Sequence, residues 1–222
     1  MTFKQDAIIV EPKAAHQASV IWLHGLGADG HDFEPIVPEL GLPADAGIKF
    51  IFPNAPVRPV TINGGMSMRA WYDVRTANLR EYEDEQSIVE STVMINQYIE
   101  NEMESGIASN KIIVAGFSQG GAIALHCGTR YCEKLAGIIA LSTYLPLPQH
   151  LEAEKSAANE STPIFMGHGL YDPVITIDQG KTSAQSLTES GYEVEFIEYT
   201  MEHAVCMEEI TAIGNWITAK LV

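Results

Sequence analysis

The run Ile112-Ile113-Val114-Ala115, three of its four residues β-branched, leads into Gly116-Phe117-Ser118-Gln119-Gly120-Gly121 and then Ala122-Ile123-Ala124-Leu125-His126. A buried strand, a Gly-x-Ser-x-Gly turn and a small-residue helix in that order form the context of a nucleophile elbow. Such a turn holds its apical residue in strained backbone geometry, and glycines on either side let strand and helix approach closely. Ser118 would stand above the sheet with a helix N-terminus beneath it. The competing reading is a glycine-rich strand-to-helix turn that merely contains a serine.

The rest of the chain supplies partners for that unit. Ala7-Ile8-Ile9-Val10, Ser19-Val20-Ile21-Trp22-Leu23, Lys49-Phe50-Ile51-Phe52, Leu135 to Leu141, Pro163 to Gly167 and Tyr192 to Tyr199 read as strands. The last alternates at period two, as an edge strand should. Helical spacing of Phe33, Ile36, Val37 and Leu40 ends at Gly41; Ile88, Thr92, Ile95 and Ile99 form a second stripe ending at Gly106. Further helices are expected over about 176–190 and 206–220. Strands alternate with helices, and several strands are apolar on both faces. This predicts an α/β fold with a mostly parallel central sheet, helices on both faces and an antiparallel start, in one domain over 1–222. The segment Asn54–Asp73 is too long for a plain connection and too apolar for a linker, so it reads as a functional loop.

Charge and cysteine content narrow the function. With 13 basic and 29 acidic residues, the formal net charge of −16 repels phosphate backbones and anionic lipid, which argues against nucleic-acid binding. Transient contact with lipid is compatible with an apolar mouth but not with a basic patch. Cys127, Cys132 and Cys206 make an odd count without a Cys-x-x-Cys pair, as expected in a reducing compartment and without a structural zinc. Cys127 reads as packing. The start, Met1-Thr2-Phe3-Lys4-Gln5-Asp6, lacks a leader's apolar stretch, and no run approaches bilayer length, so the expected location is cytoplasmic.

A serine hydroxyl needs a base, and the base needs an orienting carboxylate. His168 and His203 both follow strands and lie beyond Ser118, and Asp172 follows a strand directly. The chain order Ser…Asp…His selects Ser118, Asp172 and His203, with Asp178 as the fallback acid and His168 as a residue that shapes the turn. The oxyanion formed on attack calls for two backbone donors: the N–H of Gln119, directly after the nucleophile, and that of Leu26 in the early His24-Gly25-Leu26-Gly27 loop. The same loop carries Gly25-x-Gly27-x-x-Gly30, which fits a dinucleotide fingerprint. The next strand ends in Phe52-Pro53-Asn54, however, with no acid for a ribose hydroxyl. No His, Cys and carboxylate set has metal-ligand spacing. Neither cofactor nor metal is expected.

His24-Gly25-Leu26-Gly27, Gly116-Phe117-Ser118-Gln119-Gly120-Gly121, Asp172-Pro173-Val174 and the late His203 resemble the acyl-protein thioesterase/lysophospholipase-like carboxylesterases of the α/β-hydrolase fold. Arg58 to Met66 and Arg69 to Asp73 are similar to bacterial members in particular. The resemblance runs nearly end to end. It implies a serine hydrolase of carboxylic esters or thioesters that needs no cofactor and is often a homodimer. Its small acyl-ester or acylated substrate would react through an acyl-enzyme on Ser118. Short-to-medium acyl esters are the leading expectation; lysophospholipids and acylated proteins are the alternatives, and a non-catalytic ligand-binding protein on the same fold is a different class. The resemblance gives 54–73 the role of a flap, with Met66, Met68 and Trp71 as acyl-groove candidates beside the competing role of core packing, and with Arg69 paired to a nearby acid. One departure is Ala204, where the family often has serine.

Overall fold

The computed structural model describes residues 6–76 and 81–222; the stretch Met1–Gln5, weighed above as a leader, lies outside them. The strands are β1 (Ala7–Val10), β2 (Ala18–Leu23), β3 (Ile48–Pro53), β4 (Val57–Val60), β5 (Met66–Arg69), β6 (Ile112–Phe117), β7 (Gly137–Leu141), β8 (Ile164–Gly169) and β9 (Val194–Tyr199). The α-helices are α1 (Glu85–Glu104), α2 (Gln119–Arg130), the single turn α3 (Leu151–Glu154), α4 (Ile177–Glu189) and α5 (Met207–Leu221).

Seven strands make one sheet in the order β1-β3-β2-β6-β7-β8-β9, and β4 pairs with β5 in a separate ribbon. Only the β1–β3 pairing within the large sheet is antiparallel. Strands β2, β7 and β8 are buried throughout, because period-two alternation sends their side chains into two different cores. Ile21 and Leu23 join α1, α2 and α4 on one face. Val20 and Trp22 join α5 and the 34–40 turn on the other. Each such side chain contributes about 1.5–3 kcal/mol by leaving water, so both faces must be covered for the sheet to persist. This is the expected arrangement of a mostly parallel sheet with helices on both sides.

Two local expectations are corrected. The stripe Phe33–Leu40 forms a 3-10 helix over Glu34–Leu40 rather than an α-helix. Pro35 and Pro38 withhold two amide hydrogens, so the α pattern cannot propagate. Phe33 and Leu40 are buried as expected. The 54–73 segment is not irregular throughout: Val57 pairs with Arg69 and Val60 with Met66 in the β4–β5 ribbon. Pro59 hides that ribbon from a sequence reading, yet proline is tolerated in a two-stranded ribbon that has no central strand. The capping box of Thr176 and Gln179 starts α4 at the expected position.

Candidate active site

Ser118 occupies the apex between β6 and α2 with φ 54° and ψ −119°, a conformation that costs a non-glycine residue about 1–3 kcal/mol. Neighbouring groups hold it there. Its amide donates to the Leu141 carbonyl at 2.8 Å, and its own carbonyl accepts from Thr143 Oγ1 at 2.6 Å. A methyl at Gly116 would collide with the Gly120 carbonyl, and one at Gly120 with the carbonyls of Leu23 and His24. Small residues are therefore the condition for this close crossing of α2 over β6 and β2.

Two loops converge on the serine. His203, between β9 and α5, places Nε2 at 2.9 Å from Ser118 Oγ. Its Nδ1 lies 2.7 Å from Asp172 Oδ2, on the loop after β8. With the hydroxyl donating to Nε2, Nδ1–H donates to the carboxylate. Asp172 Oδ1 accepts two further bonds, from the amides of Val174 (2.8 Å) and Ile175 (2.9 Å). Burial works to raise the Asp172 pKa, but the His203 bond and the two amides outweigh it and hold the carboxyl below its ordinary range. The His203 ring also lies against Phe117, with centroids 4.7 Å apart. Ala204 closes its turn through its own amide, donating to the Glu202 carbonyl at 2.9 Å.

His168 is fully buried, and its Nε2 donates to the Ile175 carbonyl at 2.8 Å. It lies 3.7 Å from Asp172 Oδ2. Burial lowers its pKa and so keeps the ring neutral. It thus braces the 172–175 loop and does not contact Ser118. The fallback acid, Asp178, lies in the first turn of α4, and the carboxylate on His203 is that of Asp172. The Cys127 thiol donates to Asn96 Oδ1 at 3.2 Å and is pushed up to about 12 by burial, which suits a packing residue.

Leu26 and Gln119 both line the cleft at Ser118. Neither amide N–H donates to another group among the described residues. The Gln119 side chain plays a separate part. Its Oε1 accepts from the Trp71 amide (2.8 Å) while Nε2 donates to the Tyr72 carbonyl (2.7 Å). Trp71 Nε1 in turn donates to the His24 carbonyl at 2.8 Å, and the Trp71 carbonyl accepts from Ser91 Oγ. His24 Nε2 accepts from the Ala55 amide at 3.0 Å, and Nδ1–H donates to the Gly25 carbonyl at 2.7 Å. The loop before Leu26 is thereby tied to the residue after Ser118. Sequence reasoning singles out Gln119 for its backbone and misses this side-chain bridge. The glycines of the apparent dinucleotide fingerprint join the same framework: Gly27 N–H donates to the Arg69 carbonyl and Gly30 N–H to Asn54 Oδ1, both at 2.8 Å.

The cleft measures about 590 Å³, with Ile62, Tyr72, Val74, Tyr144, Val174 and Ile175 supplying most of its apolar wall. The expectation for Met66, Met68 and Trp71 is corrected, since none is among its lining residues. Met66 is 65% exposed on the ribbon. Met68 Sδ accepts from Asn63 Nδ2 at 3.3 Å, and Trp71 is wholly buried beneath the His24–Gly27 loop. The turn that joins the two strands of the ribbon provides Ile62 instead, and the chain after β5 provides Tyr72 and Val74. Arg69 pairs with Asp6 (3.3 Å) and donates to the Ala55 carbonyl (2.9 Å). A larger hollow of about 780 Å³ lies between β1 and the 34–40 turn, but no serine, cysteine or histidine lines it.

Comparison with known proteins decides the lineage. The model of the phospholipase/carboxylesterase family matches residues 4–221. The chain belongs to that family. Among phospholipase/carboxylesterase relatives, it is 40% identical to acyl-protein thioesterase 1 of Neurospora crassa, covering 98% of this chain and 93% of that one. It is 38% identical to acyl-protein thioesterase 1 of Yarrowia lipolytica, covering 97% of each. Of solved structures, Zea mays acyl-protein thioesterase 2 superposes with TM-score 0.85 at 31% identity, covering 99% of this chain and all of that one. Arabidopsis thaliana SOBER1 gives TM-score 0.88 at 30% identity, over 93% and 100%. The sheet and its helices are accordingly the α/β-hydrolase fold, and the chain is an ester hydrolase by family.

Proposed function

We propose that the chain hydrolyses acyl esters and thioesters through an acyl-enzyme on Ser118. The observation that carries this reading is the chain of contacts Ser118 Oγ–His203 Nε2–Asp172, at 2.9 and 2.7 Å. His203 takes the hydroxyl proton as Oγ attacks the acyl carbon, while Asp172 holds the imidazole in the tautomer that accepts at Nε2 and stabilises the imidazolium. The negative charge on the acyl oxygen falls to the free N–H groups of Leu26 and Gln119, each worth about 3 kcal/mol of barrier. His203 returns the proton to the departing alcohol or thiol. Water then repeats the sequence on the acyl-enzyme and releases the acid. The apolar wall of Ile62, Val74 and Val174 suits the acyl chain.

Among substrates, the relatives named acyl-protein thioesterase 1 favour an acylated protein over the short free esters that head the reading from sequence. A fluorophosphonate probe should label the wild type and leave Ser118→Ala unlabelled; labelling that persists in the variant refutes the assignment of the nucleophile. Thioester peptides and water-soluble esters of matched acyl length, compared by kcat/KM, test the substrate class. A faster free ester would reject the acyl-protein reading.

A further inference from the structure

We infer that Asp32 makes the departing-group side of the cleft selective for positive charge, so that this enzyme prefers acyl esters whose alcohol or thiol carries an ammonium group. The inference rests on the function proposed above and adds the chemistry of the leaving group to it.

The two sides of the cleft can be told apart. His203 must deliver a proton to the leaving atom, so the departing group lies on the His203 side of Ser118. On that side the rings of Phe33, Phe117 and His203 follow one another, with centroids 5.5 and 4.7 Å apart. Asp32 directly precedes Phe33 in the chain, and Asp32, Phe117 and His203 all line the cleft. Asp32 is the one carboxylate in that lining, and neither lysine nor arginine is among the residues around it.

The Asp32 carboxylate has neither a hydrogen-bond donor nor an ion-pair partner among the described residues, although its backbone amide donates to the Asp29 carbonyl. Basic side chains near this loop are engaged elsewhere: Arg69 faces Asp6, and His31 Nδ1 lies 2.8 Å from Glu34 Oε2. The Asp32 side chain is exposed at the cleft mouth, and the desolvation it does undergo raises its pKa, with His24 opposing and Asp29 adding to it. A carboxylate in that state is stabilised by a cation that enters the cleft. The apolar wall, by contrast, has no charge to offer and suits the acyl half of the substrate. The formal charge of −16 favours the approach of cationic over anionic substrates in general.

The test compares butyrylcholine with 3,3-dimethylbutyl butyrate, which replaces the quaternary nitrogen by carbon at the same size. In wild type at low ionic strength, kcat/KM should favour the choline ester by about fivefold, the scale of one partly exposed charge pair. The ratio should fall toward one in Asp32→Asn, invert in Asp32→Lys, and shrink with added salt in the wild type. It is read within each variant, so a change in overall activity cancels. A wild-type ratio of one, or a ratio that Asp32→Asn leaves unaltered, overturns the inference while the hydrolase reading stands. Turnover of neither ester overturns both.

Discussion

Glu209, in the first turn of α5, is wholly buried, and neither carboxylate oxygen has a hydrogen-bond partner among the described residues. It rests against Gly167 of β8, where a methyl would collide with Oε1, and beside the Tyr199 ring. Desolvation pushes its pKa from the ordinary 4.5 up to about 8. Between those values the native chain keeps a proton that the unfolded chain has released, so folding stability falls as pH rises through this window. At about 1.4 kcal/mol per pH unit, the loss approaches roughly 5 kcal/mol by pH 8. Below 4.5 both states are protonated and the contribution is flat. Glu209→Gln keeps the shape and removes the titration. Urea unfolding of both proteins at intervals from pH 5 to pH 8 should therefore give a stability difference that widens steadily in favour of the variant. Subtracting one curve from the other cancels the pH dependence of the remaining charges. A difference that stays constant across that range refutes the reasoning.

Gln119→Ala leaves the Trp71 amide and the Tyr72 carbonyl buried without partners, so it should cost about 2–4 kcal/mol in denaturant unfolding. Because the bridge also steadies the Leu26 loop, kcat should fall more than KM rises. Gly120→Ala drives a methyl into the Leu23 and His24 carbonyls and should cost about 3 kcal/mol or abolish folding, read as the thermal midpoint. Ile62→Phe should shorten the preferred acyl chain in a nitrophenyl ester series, each excluded methylene costing about 0.8 kcal/mol, close to fourfold in kcat/KM. Met66→Ala, exposed on the ribbon, should leave the chain-length profile as in wild type.

The features legible in the sequence are those written locally or ordered by the fold. The elbow announces itself because only glycine fits where α2 crosses β6, and the order of Ser118, Asp172 and His203 follows from the order of strands in the sheet. The apolar wall of the cleft is different, since Ile62, Tyr144 and Val174 come from three separate loops and share no spacing. Thioether flexibility points to Met66 and Met68 instead. Glu209 is hidden for another reason: an acid in the first turn of a helix reads as a partner of the helix dipole. Here, next to the inward Ile210 and one turn before Ile213, the helical stripe carries it inside. Pro35 and Pro38 are plain in the sequence, but the apolar spacing around them masks their meaning.

Ser118, Asp172 and His203 all leave the sheet at the C-terminal ends of β6, β8 and β9. The turns at Gly106 and Gly191, which lead into β6 and β9, therefore sit at the opposite rim. A linker or affinity handle inserted at either turn would point away from incoming substrate. Molecules anchored to a bead or fused to a carrier through those turns would keep their mouths turned toward the bulk liquid.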